Sequence, residues 1–338
     1  MEKYDVTALG ELLIDFTENG KSAQGNPLFE ANPGGAPCNV LAMLSKLGDK
    51  TAFIGKVGDD FFGEQLREAI TEVGIDGSHL MKDEVHTTLA LVHNRADGDR
   101  DFSFYRNPGA DMMLAEDEIP EDLIRNSKIF HFGTLSMTHE GVRRATKKAL
   151  DTAKKAGILI SFDPNLRPPL WDSLETAREQ VLCGLGFCDV LKISDNEIEW
   201  LTGEKDYTEG VKWIRSRYNI PLILVSMGRD GSRAYFEPSP RSVGIIVEQK
   251  AFLQKNTIDT TGAGDTFFGC VLHYLCKYGF EQSGDPQQEG NHSLTNLNEA
   301  LLAEMLTFAN AAASLVTTKK GALRVMPTPE EIMSLIHS

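Results

Sequence analysis

Long hydrophobic runs are missing from this chain of 338 residues. The longest apolar stretch, about residues 220–227, falls far short of the ~18 residues that a membrane span needs. No secretory h-region follows Met1, because Gly10, Glu11 and Asp15 break the first apolar stretch and leave it too short and too charged. These absences predict a soluble, cytoplasmic protein with no membrane partner. Cysteine is scarce, with five residues in all. Cys38 stands alone, and Cys183, Cys188, Cys270 and Cys276 form no C-x2-C pair and have no cluster of histidines nearby. That excludes a zinc site and a disulfide framework and leaves buried, reduced thiols as the expectation. Positive charge is short as well: 34 Lys and Arg face 49 Asp and Glu, for a net charge of −15. Acidity of this size argues against nucleic acid or an anionic membrane as the main partner. Two nucleotide-binding strings are also absent, G-x4-G-K-[ST] and a G-x-G-x-x-G after a strand.

What is present is an ordinary globular composition, 41% hydrophobic and 25% charged, which excludes a disordered or fibrous chain. The length allows about two domains, or one large α/β unit with a sizeable core. Short runs rich in Val, Ile and Phe, bounded by Gly, Asp or Pro, predict strands over Val6–Leu9, Thr51–Ile54, Thr87–Val92, Ile129–Phe132, Ile158–Phe162, Val190–Ile193, Leu222–Val225, Arg233–Phe236 and Val243–Val247. Thr138 reads as the cap of a helix reaching Lys155, while Ser194–Glu197 and Thr328–Glu331 read as capping boxes. Glu299–Thr318 is apolar on most sides, as in a buried helix. From about residue 120 onward, apolar strands alternate with helices, the pattern of a mostly parallel sheet covered on both faces. Residues 11–33 and 84–112 are strand-like without intervening helices and predict a small separate sheet. Gln282–Asn298 is polar and reads as a surface loop.

The sharpest feature is Asp259-Thr260-Thr261-Gly262-Ala263-Gly264-Asp265-Thr266-Phe267. It follows a strand-like segment and opens a helix running to about Tyr278. The small residues Gly262, Ala263 and Gly264 let the backbone approach a ligand closely. Their N–H groups point out of a helix N-terminus, where the dipole is positive. Such an anion hole suits a phosphoryl group in transfer. Asp265 stands in the first turn, placed to take a proton from a substrate hydroxyl as general base. Read alone, it is equally a favourable charge in a first helical turn.

That string resembles the second motif of the ribokinase-like (PfkB) sugar kinase family. The first motif is matched by Gly34-Gly35-Ala36-Pro37-Cys38-Asn39, then Leu47-Gly48, then Gly55-Lys56-Val57-Gly58-Asp59-Asp60-Phe61-Phe62-Gly63. The strings Gly10–Phe16, Phe104–Leu114 and Phe162–Trp171 resemble the fructokinase branch, in which a Ser often stands at the position of Gly109. The resemblance covers nearly the whole chain. It implies an α/β core, residues 1–10, 34–83 and 113–338, with a discontinuous β-sheet lid, residues 11–33 and 84–112. It further implies that Asp15, Gly34, Gly35, Asn39, Arg106, Asn165 and Arg167 contact a sugar, Arg106 reaching down from the lid. Lys192, Asn196, Ser226, Gly228, Gly231, Gly262, Gly264 and Asn310 would face ATP. Asn196 with Glu199 fits the family's Asn-x-x-Glu spacing, which helps organise Mg2+ through water; Glu197 also reads as a capping acid, and Asn310 also as a helix-packing residue. Asp259, Thr261 and Gly321, in the loops around the motif, would bind a monovalent cation, K+.

The activity implied is transfer of the γ-phosphoryl of ATP to a primary hydroxyl, with D-fructose giving fructose 6-phosphate. The rivals are a 2-keto-3-deoxygluconate kinase, a ribokinase, and a sugar-binding regulator without catalysis. Lid strands that pair between subunits imply a homodimer.

Overall fold

The computed structural model describes residues 3–94, 100–239, 242–279 and 294–338. Its strands are β1 (Tyr4–Leu9), β2 (Leu13–Lys21), β3 (Pro27–Gly34), β4 (Thr51–Gly58), β5 (Ile75–Asp83), β6 (Leu89–Asn94), β7 (Arg100–Tyr105), β8 (Ser127–Gly133), β9 (Leu159–Asp163), β10 (Val190–Ser194), β11 (Leu222–Ser226), β12 (Ser232–Phe236) and β13 (Ile245–Gln249). The α-helices are α1 (Ala36–Lys46), α2 (Phe61–Glu72), α3 (Glu121–Arg125), α4 (Glu140–Lys155), α5 (Leu174–Leu185), α6 (Asp195–Thr202), α7 (Tyr207–Arg215), α8 (Ala263–Tyr274), α9 (Glu299–Val316) and α10 (Pro329–Ile336).

The large sheet has nine strands in the order β13-β12-β11-β10-β9-β8-β1-β4-β5. From β5 through β11 the neighbours are parallel, and β12 and β13 close one edge antiparallel. The central strands are mostly apolar and buried because helices cover both faces, with Asp163 and Lys192 among the buried charged exceptions. Alternate side chains feed two cores: Val6, Ile129, Val190 and Leu224 pack with α1, α8 and α9, while Phe132, Phe162, Ile193 and Val225 pack with α4, α5 and α7. Phe132 and Phe162 stack with ring centroids 4.5 Å apart.

A second sheet, β3-β2-β6-β7, stands apart from the first. Its hairpin partners pair antiparallel and β2 runs parallel to β6. The two connections that flank β6 and β7 are anchored to the core. Asp60 accepts from Thr87 N (2.8 Å) and Thr87 Oγ1 (2.7 Å) where the chain leaves for β6. Lys56, buried in β4, holds Asp83 Oδ2 (3.2 Å), Glu118 Oε1 (2.8 Å) and the Met113 carbonyl (3.1 Å). It thereby ties the outgoing segment to the returning one.

Several expectations need correction. Strand β5 was not foreseen: apart from Ile75 and Leu80 its side chains are polar or part-exposed, so it carries no apolar run. The α4 cap is His139, whose ring accepts from Gly141 N. Thr138 instead accepts from Arg106 and donates to the Leu135 carbonyl. Strand β13 begins two residues later than predicted, and α9 ends at Val316. The helix opened by the glycine motif is α-helical to Tyr274 and widens into a π turn over Leu275–Gly279. Of the loop read at 282–298, residues 282–293 lie outside the described residues. Leu294 and Leu297 are core residues.

Candidate functional site

Parallel strands end together at the carboxyl edge of the sheet, and helices begin there. The lid sheet stands over the same edge. Between them lies a cavity of about 420 Å3, lined by Glu11, Leu13, Asp15, Gly35, Asn39, Phe104, Asn165, Arg167, Lys192 and the Thr260–Gly264 turn with Asp265, among others.

Each lining group is placed by a local device. Gly262 has φ +76° and caps α8; that left-handed corner turns the chain so that the first helical turn faces the cavity. A Cβ at Gly262 would lie 2.5 Å from the Ala322 side chain. The Ala263 N–H turns back to the Thr260 carbonyl at 3.3 Å. Asp265 is buried in this first turn and accepts from Asn39 Nδ2 at 2.8 Å. Burial raises its pKa, against the opposing pull of Asn39, Lys192 and Arg167. The other amide atom of Asn39, Oδ1, is buried with no hydrogen-bond partner, an acceptor aimed at a missing donor.

Asp15 follows the end of β1 and extends the lid strand β2. A Cβ at Gly34 would come 2.4 Å from its Oδ2, so only glycine admits the carboxyl there. Burial pushes Asp15 up to about 7, with Arg167 working the other way. Glu11, also at about 7 through burial, accepts from Ala36 N at 2.9 Å and so fixes the start of α1. On the other side, Asn165 adopts φ +43°. Its N–H is held by Asp163 Oδ1 at 3.2 Å, and this turn presents Arg167 to the cavity. Lys192 pairs with Asp163 Oδ2 at 2.9 Å. Burial works against the Lys192 charge, but Asp163 and Glu197 hold its pKa above the ordinary value.

The structure parts from the sequence expectations at four residues. Arg106 does not line the cavity. Its guanidinium is buried and engaged by Asp111 Oδ2 (2.8 Å from Nε), Thr138 Oγ1 (2.7 Å) and the Leu135 carbonyl (3.0 Å). It is a strut between lid and core, because Asp111 and Thr138 take the donors a sugar would need. Asn310 is likewise occupied: Oδ1 accepts from Ser232 Oγ (3.0 Å), and Nδ2 donates to the Gln249 (3.0 Å) and Lys250 (3.2 Å) carbonyls. That is its packing reading. Asn196 and Glu199 are exposed on α6 and neither lines the cavity. Glu197 closes the capping box of α6 as read from the sequence, accepting from Ser194 N (2.8 Å) and also from Leu166 N (2.7 Å).

Ser226, Gly228 and Gly231 lie at the end of β11 and in the turn behind it, with Ser226 beside Ser194. Asp259 accepts from Thr261 N (2.8 Å) and Gly321 N (3.3 Å), while the Thr317 carbonyl receives Ile258 N and Asp259 N. The two loops are thus locked together. Glu11, Asp163 and Glu197 gained no binding role from the sequence, although Glu11 and Asp163 sit inside the strings that carried the resemblance. A larger cleft, about 650 Å3, opens at the amino ends of β9–β11. Its one lining carboxylate, Asp189, is spent on Ile160 N (2.8 Å), so the chemistry lies with the first cavity.

Residues 3–329 match the profile of the pfkB family carbohydrate kinases. A fructokinase-1 of Zea mays is 41% identical over 335 residues, spanning 98% of this chain and 97% of that protein. A probable fructokinase-2 of Arabidopsis thaliana is 40% identical over 334 residues, 98% of this chain and 95% of its own. A fructokinase of Xylella fastidiosa with bound ATP superposes with a TM-score of 0.84 at 29% identity, covering 99% of this chain and 98% of that one. A double mutant of the Vibrio cholerae O395 fructokinase, in a fructose-, ADP- and potassium-bound form, gives 0.82 at 30% identity, with 99% of each chain covered. A buried acid at a helix N-terminus, a lid over a polar cavity and matches along nearly the full length agree, and the chain belongs to the pfkB family of carbohydrate kinases.

Proposed function

We propose that this kinase transfers the γ-phosphoryl of ATP to a primary hydroxyl of D-fructose, giving fructose 6-phosphate and ADP. The observation that carries it is Asp265, buried between the α8 N-terminus and the sugar-sized cavity and oriented by Asn39 at 2.8 Å. Asp15 offers two acceptor oxygens to neighbouring hydroxyls. Asp265 takes the hydroxyl proton as the sugar oxygen bonds to the γ-phosphorus and the bond to the β-phosphate oxygen breaks. The α8 amides, Lys192 and Arg167 face the charge that develops on the phosphoryl oxygens.

A sugar acid fits less well. The cavity already holds the carboxyls of Glu11, Asp15 and Asp265 against Arg167 and Lys192, and Arg106 is committed elsewhere. A further carboxylate would meet like charge. That favours fructose over 2-keto-3-deoxygluconate.

Mg2+ travels with the nucleotide, where it draws charge off the β- and γ-phosphate oxygens and keeps much of its water. No cage of three metal-ligating side chains forms among the described residues, so phosphate oxygens and water are the ligands that fit. Asp259, Thr261 and Gly321, brought together by their hydrogen bonds, would hold K+ through hard oxygen ligands; the Vibrio cholerae double mutant is a potassium-bound form. A homodimer through the lid sheet is part of the same proposal.

The test is ATP-dependent phosphorylation of a panel of fructose, 2-keto-3-deoxygluconate and ribose, compared by kcat/KM. Fructose is expected to lead by tenfold or more; another sugar in front overturns the substrate. Asp265→Asn is expected to lower kcat by about 10²–10⁴, and a variant within about tenfold of wild type removes Asp265 as the base.

A further inference from the structure

A buried ion pair is retained beside the cavity, and stability does not explain it. Asp163 is 2% exposed and Lys192 6%. Taking two such charges out of water costs more than their attraction returns unless further bonds help, and apolar residues of the same volume serve a fold as well or better. Strand register creates the pair. Val190 pairs with Ser161 and Leu191 with Phe162, so the next residues, Lys192 and Asp163, lie side by side where β9 and β10 open onto the site.

The two oxygens of Asp163 do different jobs. Oδ2 accepts from Lys192 Nζ (2.9 Å). Oδ1 accepts from Asn165 N (3.2 Å) and holds the left-handed turn that carries Arg167. The ammonium is held toward the first turn of α8: a Cβ on Gly264 would come 3.1 Å from Lys192 Nζ. Glycine therefore leaves room for the charge exactly one side chain deep, between the anion-binding amides and Asp265.

We infer that Asp163 is a positioning residue for phosphoryl transfer, acting through Lys192, whose ammonium it fixes against the anion-binding turn. It touches neither substrate. The inference rests on the kinase reading above and adds a residue to it. Without the carboxylate, Lys192 keeps its charge but not its place, with Glu197 and Asp265, the proposed base, as the acids left to draw it. The loss then falls on the transferring phosphoryl and spares the sugar.

Asp163→Asn keeps the shape and the Oδ1 acceptor of the Asn165 turn while removing the charge. It is expected to lower kcat by about tenfold to a hundredfold and to leave the KM for fructose within about threefold of wild type. Lys192→Met is expected to cost at least as much. The double variant is expected to match Lys192→Met alone, because residues that act through one another do not add. ATP affinity, titrated calorimetrically without sugar, follows the same pattern and gives a readout that stands even where the sugar assignment fails. Should Asp163→Asn not fold, the double variant, which removes both charges together, carries the comparison with Lys192→Met. A further loss of tenfold or more in the double, a raised fructose KM with unchanged kcat, or an Asp163→Asn enzyme within about twofold of wild type in both assays overturns the inference.

Discussion

At the scale of single residues, Asp15 is the group whose environment bears most directly on behaviour in solution. Gly34 leaves room for it where a Cβ would clash, burial pushes its carboxyl up to about 7, and Arg167 opposes the shift. The sign follows from linkage. The folded pKa lies above the ordinary 3.8, so near neutrality the empty site binds a proton that the unfolded chain does not. Hydroxyls donate to the ionised form, so sugar affinity rises with pH and is lost below about 7. The KM for fructose is expected to rise about tenfold per pH unit below that point, and Asp15→Asn to flatten the dependence; initial rates from about pH 5.5 to 8.5 decide, and an unchanged slope in the variant would refute the assignment. What could be read at this scale depended on locality. The place of Asp265 in the first turn of a helix was legible because the glycine string that sets it is local. Arg106 and Asn310 were not, because their partners Asp111, Thr138, Ser232 and Gln249 arrive from other segments, and a side chain's donors are committed by tertiary neighbours.

Among the elements, the turn into α8 does the most with the least sequence. Its corner at Gly262 has positive φ and stands against Ala322. Gly262→Ala is expected to cost about 1–2 kcal/mol from the left-handed backbone alone, more from the clash, and to lower kcat as the loop after α9 is displaced. Denaturant unfolding alongside initial rates checks both, and an unchanged midpoint sinks the argument. Inside the core, Phe162→Ala would empty the stacked pair with Phe132 and is expected to lose about 3–5 kcal/mol, visible as a lower denaturation midpoint with the same slope. The buried strands and the two capping boxes were legible because apolar runs and Ser/Thr-x-x-Glu spacings are local signals. Strand β5 was hidden because an edge strand with few buried positions carries no such run. The cap of α4 was misjudged because Thr138 was already taken by Arg106.

For the molecule as a whole, the net charge of −15 is locally offset where the α8 N-terminus, Arg167 and Lys192 converge on the cavity, the place the proposed mechanism gives to the nucleotide's phosphates. Strand order could not be read from any pattern within the chain, because it is set by pairings between distant segments. The lid carries apolar side chains with no cover in one chain, Leu28 at 47%, Phe29 at 38% and Tyr105 at 63% exposure, which is what an edge that pairs with a second copy would show. Light scattering at micromolar concentration is expected to give twice the mass of one chain, and Phe29→Glu to return it to one; a wild-type monomer would remove the lid dimer. The pin at Lys56 sets how such a lid moves. Of the four connections between lid and core, two meet on one ammonium, through Asp83 on the way out and Met113 and Glu118 on the way back. The other two connections are tied to each other where Glu11 accepts from Ala36 N at 2.9 Å, so the lid meets the core at two pinned pairs, and a lid that moves would hinge there. A small rotation there becomes a large displacement at the far hairpins, and sugar access turns on leverage rather than on loosening of the chain.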